Sequence, residues 1–95
     1  MPNILKLRDR LVSHLSGLLE NLPKNQQRNE MHNLRQRFEE AGLLSNETEI
    51  REDDPLSFSL DLMSEELYQK ISLQPSLATA ALEAKTPEQI ADALT

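Results

Sequence analysis

The stretch NILKLRDRLVSHLSGLLENL, residues 3–22, decides the fold. Ile4, Leu5, Leu7, Leu11, Val12, Leu15, Leu18, Leu19 and Leu22 make it the most apolar part of the chain. On a helical wheel Ile4, Leu7, Leu11, Leu15, Leu18 and Leu22 share one face, and Leu5, Val12 and Leu19 widen it. The resulting arc covers about 160°, against roughly 100° for an ordinary surface helix. A helix this apolar needs two neighbours. Asn3 is the expected cap. Pro23 ends the helix, because the residue before a proline avoids helical geometry. Arg8 falls inside the arc, where it either snorkels, with its stem packed and its head wet, or pairs with an acid of the C-terminal half or of a second chain. His14 sits at the arc's edge, a boundary position.

Next to it, Asn25 is placed to cap a second helix over 26–41. Met31, Leu34, Phe38 and Ala41 recur there at spacings of three, four and three. That narrow stripe suits packing on the first helix as an antiparallel hairpin spanning 3–42. Gly42 is suited to the left-handed position after the last turn, and Leu43 to the hydrophobic contact that follows it. Beside the stripe lies a second face of Lys24, Arg28, His32 and Arg35. With Arg37, the residues Arg28, His32 and Arg35 are the candidates for gripping phosphates, nucleic acid or an acidic partner. Glu30, Glu39 and Glu40 lie on the same helix, and no exposed aromatic accompanies the basics for base stacking. A solvated face partly neutralised by the acidic half is the expectation.

Residues 45–54 form an acidic connector carrying Glu47, Glu49, Glu52, Asp53 and Asp54. A calcium-binding helix-loop-helix would need alternating acids, a central Gly and a closing Glu. The segment has no Gly, so a solvated acid run is expected. After Pro55, the residues Leu56, Phe58, Leu60 and Leu62 alternate with Ser57, Ser59 and Asp61. That period of two suits a half-buried strand. Leu56, Leu60, Met63, Leu67 and Ile71 equally share one helical face, and Asp54-Pro55 is a good cap and first-turn pair. The poor helix propensity of Ser-Phe-Ser favours a short strand or hairpin at 56–62, with Thr48–Arg51 or a second chain as its pairing partner. Ser64-Glu65-Glu66 then starts a helix over 65–72. Pro75 opens an Ala- and Leu-rich helix reaching Lys85. Thr86-Pro87-Glu88-Gln89 supplies a cap, a first-turn proline and a capping box for a last helix over 87–94. The fold class is therefore mainly α: one small domain over 1–95, made of the hairpin, the connector at 45–54 and a C-terminal region over 55–95.

With 95 residues, two Phe, one Tyr and no Trp, the core depends on Leu and Ala. A chain of this length buries roughly two-thirds of its unfolded surface, and completion of such a core by a partner is a reasonable expectation. The net charge of −6 hides a split. Residues 1–37 hold seven basic and three acidic side chains, whereas 38–95 hold three basic and thirteen acidic. The two halves attract each other within one molecule, across a dimer, or meet different partners. The absence of cysteine excludes disulfides and thiolate chemistry and fits a reducing, cytoplasmic setting. Neither a signal peptide nor a membrane-spanning segment is expected, and no membrane partner.

No catalytic constellation emerges. The two His, His14 and His32, lack metal-ligand spacing. Gly17 and Gly42 are too few for a phosphate loop. The paired acids Glu39-Glu40, Asp53-Asp54 and Glu65-Glu66 are sequence neighbours whose side chains diverge on a helix. No enzyme, metal or cofactor is expected. From Ser57 to Lys85 the order of elements resembles a ribbon-helix-helix module, in which strands from two chains pair and outward side chains read the major groove. The outward residues here would be Ser57, Ser59 and Asp61, none of them basic. The leading expectation is a non-enzymatic protein–protein interaction module, an adaptor, regulatory or small chaperone-like protein that self-associates as a homodimer. Leu11, Leu15 and Leu18 would be its core or interface anchors, with Arg8 at the rim. The alternative is a small nucleic-acid-associated regulator, a repressor or antitoxin, using Arg28, His32, Arg35 and Arg37 or a ribbon at 56–62.

Overall fold

The structure, a computed structural model, describes residues 4–45 and 47–95, with residues 4 and 5 as backbone only. The cap expected at Asn3 lies outside the described residues. Six helices follow one another: α1 (Ile4–Glu20), α2 (Lys24–Glu40), α3 (Pro55–Leu62), α4 (Glu65–Leu73), α5 (Pro75–Leu82) and α6 (Pro87–Leu94). No strand occurs among the described residues. The mainly helical expectation holds, and α1 and α2 pack together.

Helix α1 is the hub. Its Leu11, Leu15 and Leu19 are completely buried and Leu7 and Val12 nearly so. Its most extensive contact is with α3, then α5, and it also touches α2, α4 and α6. The wide arc is thus covered from several sides by its own chain. Phe58 and Leu62 of α3, Leu67 and Ile71 of α4, Ala78 and Ala81 of α5, and Ile90 and Leu94 of α6 join Met31, Leu34 and Phe38 of α2 in one apolar cluster around it. The small residues of α5 let that helix approach closely.

The strand expected at 56–62 is not formed; those residues are helix α3. Local chemistry explains the outcome. Asp54 is extended (φ −140°, ψ 120°) and its Oδ2 accepts from the Ser57 amide at 3.1 Å and the Ser57 hydroxyl at 2.8 Å. These bonds, the side-chain one foremost, hold the Asp54 carboxyl below its ordinary pKa. Pro55 occupies the first turn, where its missing N–H costs nothing. Ser59 is fully buried and satisfies its hydroxyl on the Pro55 carbonyl at 2.7 Å. The serines that lower the helix propensity of this segment therefore serve as a cap partner and as an internal donor. Burial then follows the helical spacing of 55, 58, 59 and 62, leaving Leu56 and Leu60 on the outside. A ribbon at 56–62, and with it the ribbon-helix-helix order, is ruled out by the same observation.

Other boundaries follow their local signals. Gly42 has φ 76°, with Leu43 N–H donating to Phe38 O (2.9 Å) and Gly42 N–H to Glu39 O (3.0 Å), the paired bonds of a Schellman ending. Leu43 is buried beneath it. Ser64 and Thr86 cap α4 and α6 by accepting from Leu67 N (3.1 Å) and Gln89 N (3.1 Å). Gln89 Oε1 reaches back one residue further than a capping box, to Lys85 N at 2.8 Å. Helix α2 begins two residues before its expected start. Pro23, not Asn25, precedes it, and the Gln26 and Gln27 amides donate to the Pro23 carbonyl. Gln27 ties the two helices of the hairpin by donating to Leu22 O (3.0 Å) and Glu20 O (3.3 Å). Helix α5 stops at Leu82, short of Lys85, where His14 Nε2 meets the Ala84 carbonyl at 2.6 Å. A carbonyl only accepts, so His14 carries a proton on Nε2.

Candidate functional site

The anchors expected on α1 separate into different environments. Leu11 and Leu15 have no exposed surface, so no partner reaches them without opening the fold. They are core residues of this chain, the first of the two roles open to them, because α3 and α5 close over them. Leu18 is half-buried and lines a groove with Leu22 and Pro87. Arg8 is half-buried beside Met63, Ser64, Glu65 and Tyr68. It makes no ion pair among the described residues, and its neighbours belong to the acidic half of its own chain.

The basic face of α2 is largely occupied from within. His32 Nδ1 lies 3.2 Å from both carboxylate oxygens of Glu52. Arg35 Nε lies 3.2 Å from Glu52 Oε1 and 3.4 Å from Glu39 Oε1, and is buried without a well-aligned hydrogen bond to either. Arg37 Nη2 pairs with Asp92 Oδ1 at 2.8 Å and donates to Thr95 Oγ1 at 3.1 Å, tying α2 to the end of the chain. Arg28 stays exposed, with Lys24, at a shallow cavity that Glu52 and Asp53 also line. Of the four candidates the structure thus groups His32 and Arg35 on one carboxylate, sends Arg37 to another, and leaves Arg28 outside. The charge split is resolved within one molecule at Arg35 and Arg37. Glu52 departs from the solvated acid run expected of the connector, since its side chain is only 17% exposed and docks on α2. A second tie fixes the connector, Arg51 donating from its backbone N (3.1 Å) and Nε (3.3 Å) to Asp61 Oδ2.

No protein-family model matches the chain, and neither does a curated protein or a solved structure.

Two surface features escape the sequence pattern. The first is apolar. Leu56 and Leu60 stand four residues apart on the outside of α3, 48% and 45% exposed. Leu73, at the end of α4, is 85% exposed and borders a shallow cavity of about 350 Å³ with Tyr68. A signal for Leu73 is present in the sequence, since it lies off the Leu67–Ile71 face of its helix. The second feature is acidic. Glu30 of α2 and Glu88 of α6, far apart in sequence, stand at one groove. Partial burial, and then the Glu88 charge, raise the Glu30 carboxyl above its ordinary pKa. Among the described residues no group of three or more His, Cys, Asp or Glu could hold a metal ion. None of the helices described is long and apolar enough to cross a membrane.

Proposed function

We propose that the protein is a non-enzymatic interaction module, of the adaptor or regulatory kind, that acts through apolar helix surface on α3 and α4. The observation that supports this most is the Leu56–Leu60 pair. Two large side chains at i and i+4 form one ridge on a helix, and both keep nearly half their surface in water. Leu73 adds a third exposed large side chain on α4. Self-association through this surface is part of the proposal, with α1 withdrawn from it because its arc is already covered. The setting proposed is cytoplasmic, as suits a chain without cysteine.

Size-exclusion chromatography with light scattering tests it, comparing the wild type with a Leu56→Ser/Leu60→Ser variant. The expected result is association of the wild type that the variant loses while its helical circular dichroism is unchanged. Identical mass of the two proteins would overturn the proposal. The nucleic-acid reading draws no support from α2, where Glu52 and Asp92 already engage three of the four candidate side chains.

A further inference from the structure

Where α1 ends, Leu18 and Leu22 are half-buried, and Pro87 from the first turn of α6 is buried against the same groove. The groove has a volume of about 380 Å³, and Glu30 and Glu88 both line it. Neither carboxylate belongs to an ion pair among the described residues. The nearby guanidinium of Arg37 is committed to Asp92, and it meets Glu88 only at the backbone carbonyl, 3.4 Å away. Lys85 lines the groove as well. Two carboxylates therefore share the lining with one ammonium, which leaves it one negative charge in excess. The lining thus joins three apolar side chains, Leu18, Leu22 and Pro87, to a net acidic set of charges.

We infer that this groove takes an arginine or lysine side chain from a basic, apolar-flanked segment of a partner protein. A long cationic side chain has the matching chemistry, an aliphatic stem to lie over Leu18, Leu22 and Pro87 and a charged head to reach the carboxylates. An anionic ligand would meet two like charges, and a small inorganic cation would leave the apolar floor wet. The inference rests on the protein's being an interaction module but uses a different face from the leucines of α3 and α4.

The test is an NMR titration of the isotope-labelled full chain with a synthetic peptide of alternating arginine and leucine. The expected shifts fall on the amides of Leu18, Leu22, Lys85 and Glu88. A Glu30→Gln/Glu88→Gln variant should bind about three- to tenfold more weakly, as two rim ion pairs imply, and Lys85→Gln should bind more tightly. Glu47→Gln/Glu49→Gln, which removes the same charge from the connector, should bind like wild type. So should Leu56→Ser/Leu60→Ser, which separates this result from the test of the α3 surface. Equal weakening by the connector variant would make the binding a matter of bulk acidity and overturn the inference. So would shifts confined to other faces, or no shift at all.

Discussion

Replacing Phe58 by alanine should destabilise the protein severely, whereas replacing Leu60 by alanine should cost little. Phe58 has no exposed surface and joins α3 to the buried face of α1. Truncating a buried Phe removes about 3–5 kcal/mol, set against a total of about 5–14 kcal/mol for a chain of this length. Leu60 is 45% exposed. Full burial of a leucine stabilises by about 1.5–3 kcal/mol, so the half-buried side chain contributes about 1 kcal/mol. Alanine's better helix propensity, a few tenths of a kcal/mol, reduces that cost further. The comparison is sharp because in a strand residues 58 and 60 would share one face and matter alike. Urea unfolding followed by circular dichroism reads both variants. With a slope of about 1–1.5 kcal/mol/M, the Phe58→Ala midpoint should fall by about 2–5 M and the Leu60→Ala midpoint by less than about 1 M. Similar losses in the two variants would refute the helical burial pattern of α3.

Three further outcomes follow from single groups. Gly42→Ala places a Cβ in open space but at φ 76°, so it should cost about 1–2 kcal/mol from backbone conformation alone, with Gly42→Asn milder, both read as melting temperature. Glu30 has a raised folded pKa, so its titration favours the folded state at acid pH and loses that contribution as pH rises through the raised value. Glu30→Gln should therefore melt above wild type at neutral pH, and the gap should close below the ordinary Glu pKa of about 4.3. Glu52→Gln should cost about 1 kcal/mol by loosening the connector from His32 and Arg35. A double-mutant cycle with Arg35→Gln should show coupling, and strict additivity would deny the pair any energetic role.

Much of this fold is legible in the sequence because its signals are local. Gly42, Ser64 and Thr86 each act within a few residues, and each terminates or starts its helix where the sequence indicates. The apolar arc of α1 likewise announces a helix buried from several sides. What covers that arc is not legible, because the apolar residues of α3 carry a period of two. Two of those four alternating residues, Leu56 and Leu60, are surface residues, and alternation does not distinguish a buried leucine from an exposed one. The candidate site is less legible still. The distance of 58 residues between Glu30 and Glu88 is bridged only by the packing of α2 against α6. The connector's docking through Glu52 is equally non-local: five similar carboxylates line that segment, and only the position of α2 selects one of them.

Hydrogen exchange of the α1 amides, residues 11–19, across a wide dilution series of the Leu56→Ser/Leu60→Ser variant, whose stability the proposed self-association does not raise, tests the central claim most directly. If α1 is covered by α3 and α5 of its own chain, protection of these amides tracks the global stability of the fold and does not change with protein concentration. If their protection falls on dilution, a second chain completes the core over α1, and the claim that this helix is buried by its own chain is contradicted.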